Sequence, residues 1–411
     1  NDWINLNGQW DFEFDFGCSG RERKMYEEDG FEKKINVPFC PESKLSGIEY
    51  KDFMNGVWYM RKFSVPCEWN NGRVFIHFGA VDYCATVYIN KKEAGVHKGG
   101  YSSFSFDITD FLEEGENVVC VYAEDSNKVG KYGRGKQAHV YYSSGCDYTR
   151  TTGLWQTVWL EHTPENYIKN FKIYPDPENG KVSFDVETSG SGEVCAEITF
   201  DGKKVGDFAM KSIGTVVHAE AELSEIHLWE LGRGNLYDVE LSFGGDTVKT
   251  YFGLRSVCLD GMKFMLNGKS VFQRLVLDQG FYRDGIYTAP TKEELERDII
   301  LSMEAGFNGA RLHQKVFEPL FLYYCDKHGY IVWGEYANWG IDYSDAAGIP
   351  DFLSEWREEI ERDFNHPSII GWCPFNETWD FEGKRQNDGI LSTAYYFTKS
   401  VDKTRPCIDT S

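Results

Sequence analysis

The sequence predicts two β-sandwich units followed by the alternating strands and helices of a (β/α)₈ barrel. Residues 1 to about 165 carry short runs of alternating apolar and polar residues between turn signals, a pattern typical of a sandwich. A second all-β stretch, from about 166 to 257, has the length of one immunoglobulin-like sandwich. Strands then alternate with long amphipathic helices, and this order predicts βα units around a parallel sheet.

The two β stretches are marked by strand alternation and by turns. Residues 73–78 are RVFIHF and residues 85–89 are ATVYI, so apolar side chains recur at about every second position. Turn signals separate such runs, at NNG (70–72) in the first stretch and at ENG (178–180) and GG (244–245) in the second. Both stretches therefore favour antiparallel sheets with one buried face.

The last part of the chain supplies the βα units. After a hairpin signal at 264–269, a capping box (TKEE, 291–294) opens a helix that Gly306 should end. The remaining elements are strands at 270–277, 308–312, 330–333 and 368–373, helices at 317–328, 351–364 and about 387–401, and a fifth strand at 405–409.

A closed barrel has eight such units, and these residues supply about four and a half. We therefore expect an incomplete (β/α)₈ TIM barrel, either because the chain is a piece of a longer protein or because something else completes the barrel.

Composition and charge exclude several classes of function. The formal net charge is −22, which disfavours nucleic acid and anionic membranes as partners, and no apolar run has the length of a membrane span. The eleven cysteines form no C-x-x-C pairs, which indicates neither a disulfide framework nor a zinc site. We expect no metal and no cofactor, and a cytoplasmic protein unless a leader for the periplasm or secretion was removed. A homo-oligomer is left open.

The most informative segment is NHPSIIGWCPFNETW, residues 365–379. The proline ends the preceding helix, and the apolar run that follows is typical of a buried parallel strand. Asn376 and Glu377 then fall at the C-terminal end of a barrel strand, where catalytic residues lie. For a bare Asn-Glu pair, a solvated loop glutamate would be the simpler interpretation.

The whole segment resembles the acid/base signature of glycoside hydrolase family 2, which contains β-galactosidases, β-glucuronidases and β-mannosidases. The resemblance implies that Glu377 is the general acid/base and that Asn376 binds the sugar's 2-hydroxyl. Further segments resemble the family in the correct order: NLNGQW (5–10), TGLWQTVW (152–159), YFGLR (251–255) and NGAR (308–311). They imply a jelly-roll sugar-binding-like domain (1–165), an immunoglobulin-like β-sandwich (166–257) and the first half of a (β/α)₈ catalytic barrel (258–411).

Two departures from the family pattern bear on the substrate. After Arg311 the family has a histidine three places on, whereas here His313 comes one place early and Gln314 takes the usual position. The first barrel strand ends in LDQG (277–280), without the histidine-rich cluster of β-galactosidases. Both changes lie on the rim that faces the sugar, so they affect substrate identity more than chemistry.

Further site candidates lie at the ends of the first three barrel strands. Arg311 would keep the catalytic nucleophile ionised, with a surface salt bridge as its alternative. His313 and Asp278 are predicted sugar-hydroxyl ligands, and Glu335 is predicted to contact the sugar or Arg311; a structural role is the alternative for all three. Trp379 would help form an apolar wall, with ordinary barrel packing as its alternative.

The family nucleophile is a glutamate after the seventh strand, so we expect it beyond Ser411, and residues 1–411 alone should be inactive. The predicted function is a retaining exo-β-glycosidase on terminal β-linked sugars, β-galactosidase-like first and β-glucuronidase second. A glucuronidase needs a cation for the sugar carboxylate, and Lys315 is a candidate. A non-catalytic carbohydrate-binding module is the alternative from another class.

Overall fold

The computed structural model describes residues 2–126, 132–212, 214–380 and 382–410. Within them the chain forms two antiparallel β-sandwiches and then a parallel four-stranded sheet flanked by helices. The predicted fold class is confirmed. None of the described helices is long and apolar enough to cross a membrane.

The first sandwich packs a six-stranded sheet (β3-β2-β4-β10-β7-β8) against a four-stranded sheet (β1-β12-β5-β9), with β6 and β11 as a short separate pair. Side chains at alternate positions of both sheets meet in one apolar core, as the strand pattern predicted. Its strands are β1 Asp2–Asn5, β2 Gly8–Phe14, β3 Lys33–Val37, β4 Gly56–Ser64, β5 Arg73–Phe78, β6 Val81–Asp82, β7 Cys84–Ile89, β8 Lys92–Lys98, β9 Phe104–Asp107, β10 Glu116–Glu124, β11 Gly153–Leu154 and β12 Val158–Thr163.

The second sandwich has sheets β13-β14-β17 and β16-β15-β18-β19 around its own core. Alternation is strict in β14, where every second side chain is buried. Its strands are β13 Ile168–Asp176, β14 Lys181–Thr188, β15 Glu193–Phe200, β16 Lys203–Lys211, β17 Val216–Glu222, β18 Tyr237–Phe243 and β19 Asp246–Phe252.

The third unit begins with a small antiparallel sheet and continues as parallel βα units in the strand order β23-β24-β25-β26. The strands are β20 Val257–Asp260, β21 Lys263–Leu266, β22 Lys269–Ser270, β23 Leu275–Asp278, β24 Gly309–Leu312, β25 Ile331–Glu335 and β26 Ile369–Cys373, and the helices are α1 Lys292–Glu304, α2 Pro319–His328, α3 Ile349–Asp363 and α4 Asp388–Val401.

The barrel elements lie where the sequence predicted them, with two differences. The first strand is shorter than predicted because residues 269–270 pair with β21 instead of continuing into the barrel. The predicted fifth strand consists of two isolated parallel bridges, Trp372 to Cys407 and Phe375 to Thr410. The predicted cap is confirmed, since the Thr291 hydroxyl accepts a hydrogen bond from the backbone N–H of Glu294.

The two faces of the parallel sheet have different neighbours, and this decides which side chains reach the site. Ile331, Trp333 and Ile370 pack together on the inner side, over the base formed by β21. Val332 and Trp372 belong to the core shared with the helices. Polar residues on the inner side at the C-terminal strand ends therefore converge.

Candidate active site

Three neighbouring strand ends place one polar cluster at the C-terminal edge of the sheet. Arg311 in β24 donates from Nε to Glu335 Oε2 at 2.6 Å, and Glu335 is the last residue of β25. The Nη2 of Arg311 donates to Asn376 Oδ1, just beyond β26. The structure thus brings together Arg311, Glu335 and Asn376, which the sequence assigned to three separate strand ends.

Glu335 is fully engaged within this cluster. Its Oε2 receives the bond from Arg311, and its Oε1 accepts from the backbone N–H of Gln314 at 3.0 Å. Burial raises the pKa of Glu335, and the adjacent positive charge of Arg311 acts in the opposite direction. The predicted contact between Glu335 and Arg311 is present, and it fixes the guanidinium.

Asn338 holds the backbone immediately before Glu377. Its Oδ1 accepts from the N–H of Asn376 at 2.8 Å, and its Nδ2 donates to the carbonyl of Asn376 at 3.0 Å. Glu377 itself is exposed and has φ +48°, a left-handed conformation that is unfavourable for a side chain larger than glycine. The clamp on Asn376 fixes the backbone from which the exposed Glu377 side chain projects.

His313 and Gln314 have different roles despite being neighbours. His313 contacts Gln279, with 3.2 Å between Nδ1 and the amide nitrogen, and it also makes a hydrogen bond with Asn376. Burial, followed by the charges of Arg311 and Lys136, lowers the pKa of His313 to about 4, so the ring is neutral near pH 7.

Gln314 occupies the position where the family pattern places its histidine. Its side chain is buried, donating to Asn338 Oδ1 and accepting from the N–H of Trp339 at 3.0 Å. Through these two bonds, the buried Gln314 side chain holds Asn338 in the position from which it bonds to Asn376.

Two predicted site residues are not drawn into this network of described residues. Asp278 accepts from the N–H of Gly280 at 2.9 Å and lines a cavity with Asp298 and Ser302 of α1, on the helix side of the sheet. Trp379 is 66% exposed and borders an open cavity that Arg385 also lines. Their predicted sugar contacts stay predictions.

Lys315 does not point into the mouth. It is buried, and its ammonium donates to the carbonyls of Gly280 and Tyr287 at 2.6 and 2.7 Å. Burial lowers its pKa to about 8. These contacts assign Lys315 to holding together loops of the barrel, so it is unsuited to bind a sugar carboxylate.

A segment of the first sandwich completes the rim. Residues 132–137, here called the docking loop, bond to the barrel through Arg134 N to Trp339 O (2.7 Å) and Gly135 N to Ala337 O (3.1 Å). A Cβ at Gly135 would lie 2.2 Å from the carbonyl of Gln314, so this close approach requires glycine.

Sequence reasoning missed Asn338 and the docking-loop residue Lys136. The glycine spacing of GRGK (133–136) was a signal for close backbone approach. For Asn338, the only signal in the sequence was its position shortly after a barrel strand.

Comparison with known proteins then places the chain. Three models match almost all of it: "Glycosyl hydrolases family 2, sugar binding domain" at residues 23–164, "Glycosyl hydrolases family 2" at 166–255, and "Glycosyl hydrolases family 2, TIM barrel domain" at 257–409. The chain belongs to glycosyl hydrolase family 2. The predicted family is confirmed, and the described polar cluster lies in its TIM-barrel domain.

Curated relatives in the family carry two different activities in their names. A β-galactosidase of Priestia megaterium is 23% identical over 98% of this chain and 43% of its own length. A β-glucuronidase of Canis lupus familiaris is 24% identical over 98% of this chain and 67% of its own length. The chain thus spans less than half of the first relative and about two thirds of the second.

Solved family 2 structures share the fold. A β-glucuronidase from Ruminococcus gnavus in complex with D-glucuronic acid has a TM-score of 0.86 at 20% identity, covering 99% of this chain and 72% of that one. The Lactobacillus rhamnosus β-glucuronidase gives 0.84 at 21% identity, with the same coverage of each chain. At 20–21% identity these structures show that this chain has the same fold.

Proposed function

We propose that this protein is a retaining exo-β-glycosidase in which Glu377 is the general acid/base. The observation that carries the proposal is the clamped Asn376-Glu377 pair at the C-terminal end of β26, with Arg311 bonded to Asn376. In a (β/α)₈ barrel this edge is where catalytic residues lie. The left-handed backbone of Glu377 is the kind of local strain that clusters at active sites.

The chemistry follows from what a retaining mechanism needs. Glu377 would donate a proton to the glycosidic oxygen as the bond to the leaving group breaks. It would then take a proton from the water that releases the sugar from the second catalytic carboxylate, the nucleophile. Glu335 does not suit the nucleophile's role, because both of its oxygens are occupied by Arg311 and the Gln314 backbone.

Asn376 is oriented for the sugar's 2-hydroxyl. Since Arg311 bonds to Oδ1, the amide nitrogen is the group of Asn376 that would meet the sugar. An amide nitrogen has two hydrogens, so it can donate to a sugar hydroxyl. Such a bond to the 2-hydroxyl strengthens in the transition state.

We place β-glucuronides first among the substrates and β-galactosides second, which reverses the order that the sequence predicted. The named relatives support this order, because several are β-glucuronidases and one is a β-galactosidase. The expected inactivity of residues 1–411 alone stays a prediction that the same substrates test.

The test uses the protein expressed from its complete reading frame, with nitrophenyl β-glucuronide and β-galactoside and with an unactivated alkyl glycoside of the preferred sugar. Glu377→Ala should lose about 10²–10⁴-fold on the alkyl glycoside, the usual contribution of general acid catalysis. The nitrophenyl glycoside should lose much less at the bond-breaking step, because nitrophenolate departs without a proton. Added azide should restore its turnover and yield a β-glycosyl azide.

The matched control is Glu382→Ala. Glu382 is an exposed glutamate five residues away that also has a positive φ, +47°, and it should be dispensable. Equal losses on both leaving groups without azide rescue would show that Glu377 is not the acid/base.

A further inference from the structure

Lys136 is a buried cation without a counter-charge. It is only 3% exposed although it sits in the docking loop between two structural units. Within the described residues, no carboxylate lies within salt-bridge distance of its ammonium, and the ammonium donates no hydrogen bond. Asp147, whose neighbour Tyr148 donates its backbone N–H to the carbonyl of Lys136, pairs instead with Arg134 at 3.6 Å. Lysines are almost never fully buried unless they are paired, so this one calls for an explanation.

The position of Lys136 is fixed by Trp339. The Nζ lies 3.4 Å from the centre of the Trp339 ring, which is a close cation–π contact. The indole N–H of Trp339 donates to the carbonyl of Asn376 at 3.3 Å. One ring therefore separates Lys136 from the residue that precedes the proposed acid/base.

The charge of Lys136 is felt inside the cluster. It contributes, after burial and the charge of Arg311, to the lowered pKa of His313. The positive field of Arg311 is balanced by Glu335 at 2.6 Å, whereas that of Lys136 is not balanced by any described residue. Among the described residues around this cluster, Lys136 is thus a cation that no carboxylate pairs with.

A purely structural role predicts different contacts. Lys315 is the comparison within the same chain, since it is also buried among aromatic rings, yet its ammonium donates to two carbonyl oxygens. Lys136 has the ring contact but lacks such acceptors among the described residues.

We propose that Lys136 binds the carboxylate of a terminal β-linked uronic acid and so selects uronides over neutral glycosides. The inference rests on the proposed function, because it places the sugar between Lys136 and Glu377. It assigns the selecting residue to the docking loop of the first sandwich.

The test compares two lactones that differ in charge, D-glucaro-1,5-lactone, which carries a carboxylate, and neutral D-glucono-1,5-lactone. Binding is measured by titration calorimetry to wild type, to Lys136→Met, which keeps the apolar stem, and to Lys136→Arg. Lys136→Met should weaken the charged lactone about 10- to 100-fold and leave the neutral one within about twofold. Lys136→Arg should retain part of the preference. Lys92→Met, an exposed lysine of the same sandwich, is the control.

Three results would overturn the proposal: no binding of the charged lactone to wild type, unchanged binding to Lys136→Met, or equal weakening of both lactones. The last would mean that Lys136 only supports Trp339. Lactone binding needs no acid/base, so failure of the Glu377 assignment can be told apart from failure of the Lys136 proposal. If Glu377→Ala keeps full turnover while Lys136→Met loses only the charged lactone, the Glu377 assignment fails and the subsite stands.

Discussion

Glu355 of α3 joins the first sandwich to the barrel, and it should make stability depend on pH. Its Oε1 accepts from the backbone N–H of Tyr101, and its Oε2 accepts from the hydroxyl of Tyr336, both at 2.8 Å. Tyr336 directly follows β25, so this carboxyl fastens the two units close to the proposed site. Burial raises the pKa of Glu355 from 4.5 to about 7.

The sign follows from the direction of that shift. The stabilising contribution of Glu355 is complete below pH 4.5, where the carboxyl is protonated in both the folded and the unfolded chain. It is lost as the pH rises toward 7, because only the unfolded chain then ionises freely. At about 1.4 kcal/mol per pH unit, the loss is about 1.4 kcal/mol by pH 5.5 and about 3 kcal/mol by pH 8.

Glu355→Gln removes the charge and keeps the shape and the acceptor for Tyr101. Relative to wild type, its free energy of unfolding should therefore rise by about 2 kcal/mol between pH 5.5 and pH 8. Urea unfolding of both proteins at the two pH values measures this, and the comparison cancels the titrating groups that do not interact with Glu355. Glu359 on the same helix does interact, since the charge of Glu355 raises its pKa, so its change in the variant acts in the same direction. Glu361→Gln, on a carboxyl that is 37% exposed, is the control and should show no such change. A difference between variant and wild type that is the same at both pH values would refute the reasoning.

Two further variants test the architecture of the site. Gly135→Ala should displace the docking loop, because its Cβ would lie 2.2 Å from Gln314 O, and limited proteolysis should then cut near residue 135. The control is Gly145→Ala, where φ is +59° and no atom lies near the Cβ; its free energy of unfolding should fall by only about 1–2 kcal/mol. Asn338→Ala should remove the acceptor of the Asn376 backbone N–H, at a cost of about 1–3 kcal/mol, while the Asn376 carbonyl keeps the bond from the indole N–H of Trp339. Both stability and kcat should fall, whereas unchanged kcat in a destabilised protein would show that the clamp is not needed for catalysis.

The parts of the site that the sequence predicted are those fixed by local position. Residues at the C-terminal ends of parallel strands lie at the barrel mouth, so position along the chain was enough to group Arg311, Glu335 and Asn376. Apolar periodicity, together with cap, glycine and proline signals, also placed the last three barrel strands and the four helices to within a few residues. Such predictions need only the sequence of one strand or helix and its immediate neighbours.

The parts that the sequence could not predict depend on contacts between distant segments. Lys315 and Lys136 are both lysines of short loops. Loops of the barrel itself give Lys315 its carbonyl partners, whereas the packing of the first sandwich on the barrel sets Lys136 over Trp339 without an acceptor among the described residues. Asp278 pairs in register with Leu312 and not with Arg311, and its side chain falls on the helix side of the sheet. Strand register, which has a period of two, decides that difference.

Charge balance in the mouth gives a physical reason for preferring an anionic sugar. The chain carries a net charge of −22, which should repel an anion at long range, but surface charges are screened within about 8 Å at physiological ionic strength. Buried groups are screened much less, and among them Arg311 is neutralised by Glu335 and His313 is uncharged near pH 7. Of these three described residues, Lys136 alone keeps its charge without a partner. Under the proposed placement of the sugar, a neutral galactoside would leave that charge uncompensated, whereas a uronide would supply a carboxylate; the lysine that is costly to the empty protein would then favour the charged substrate.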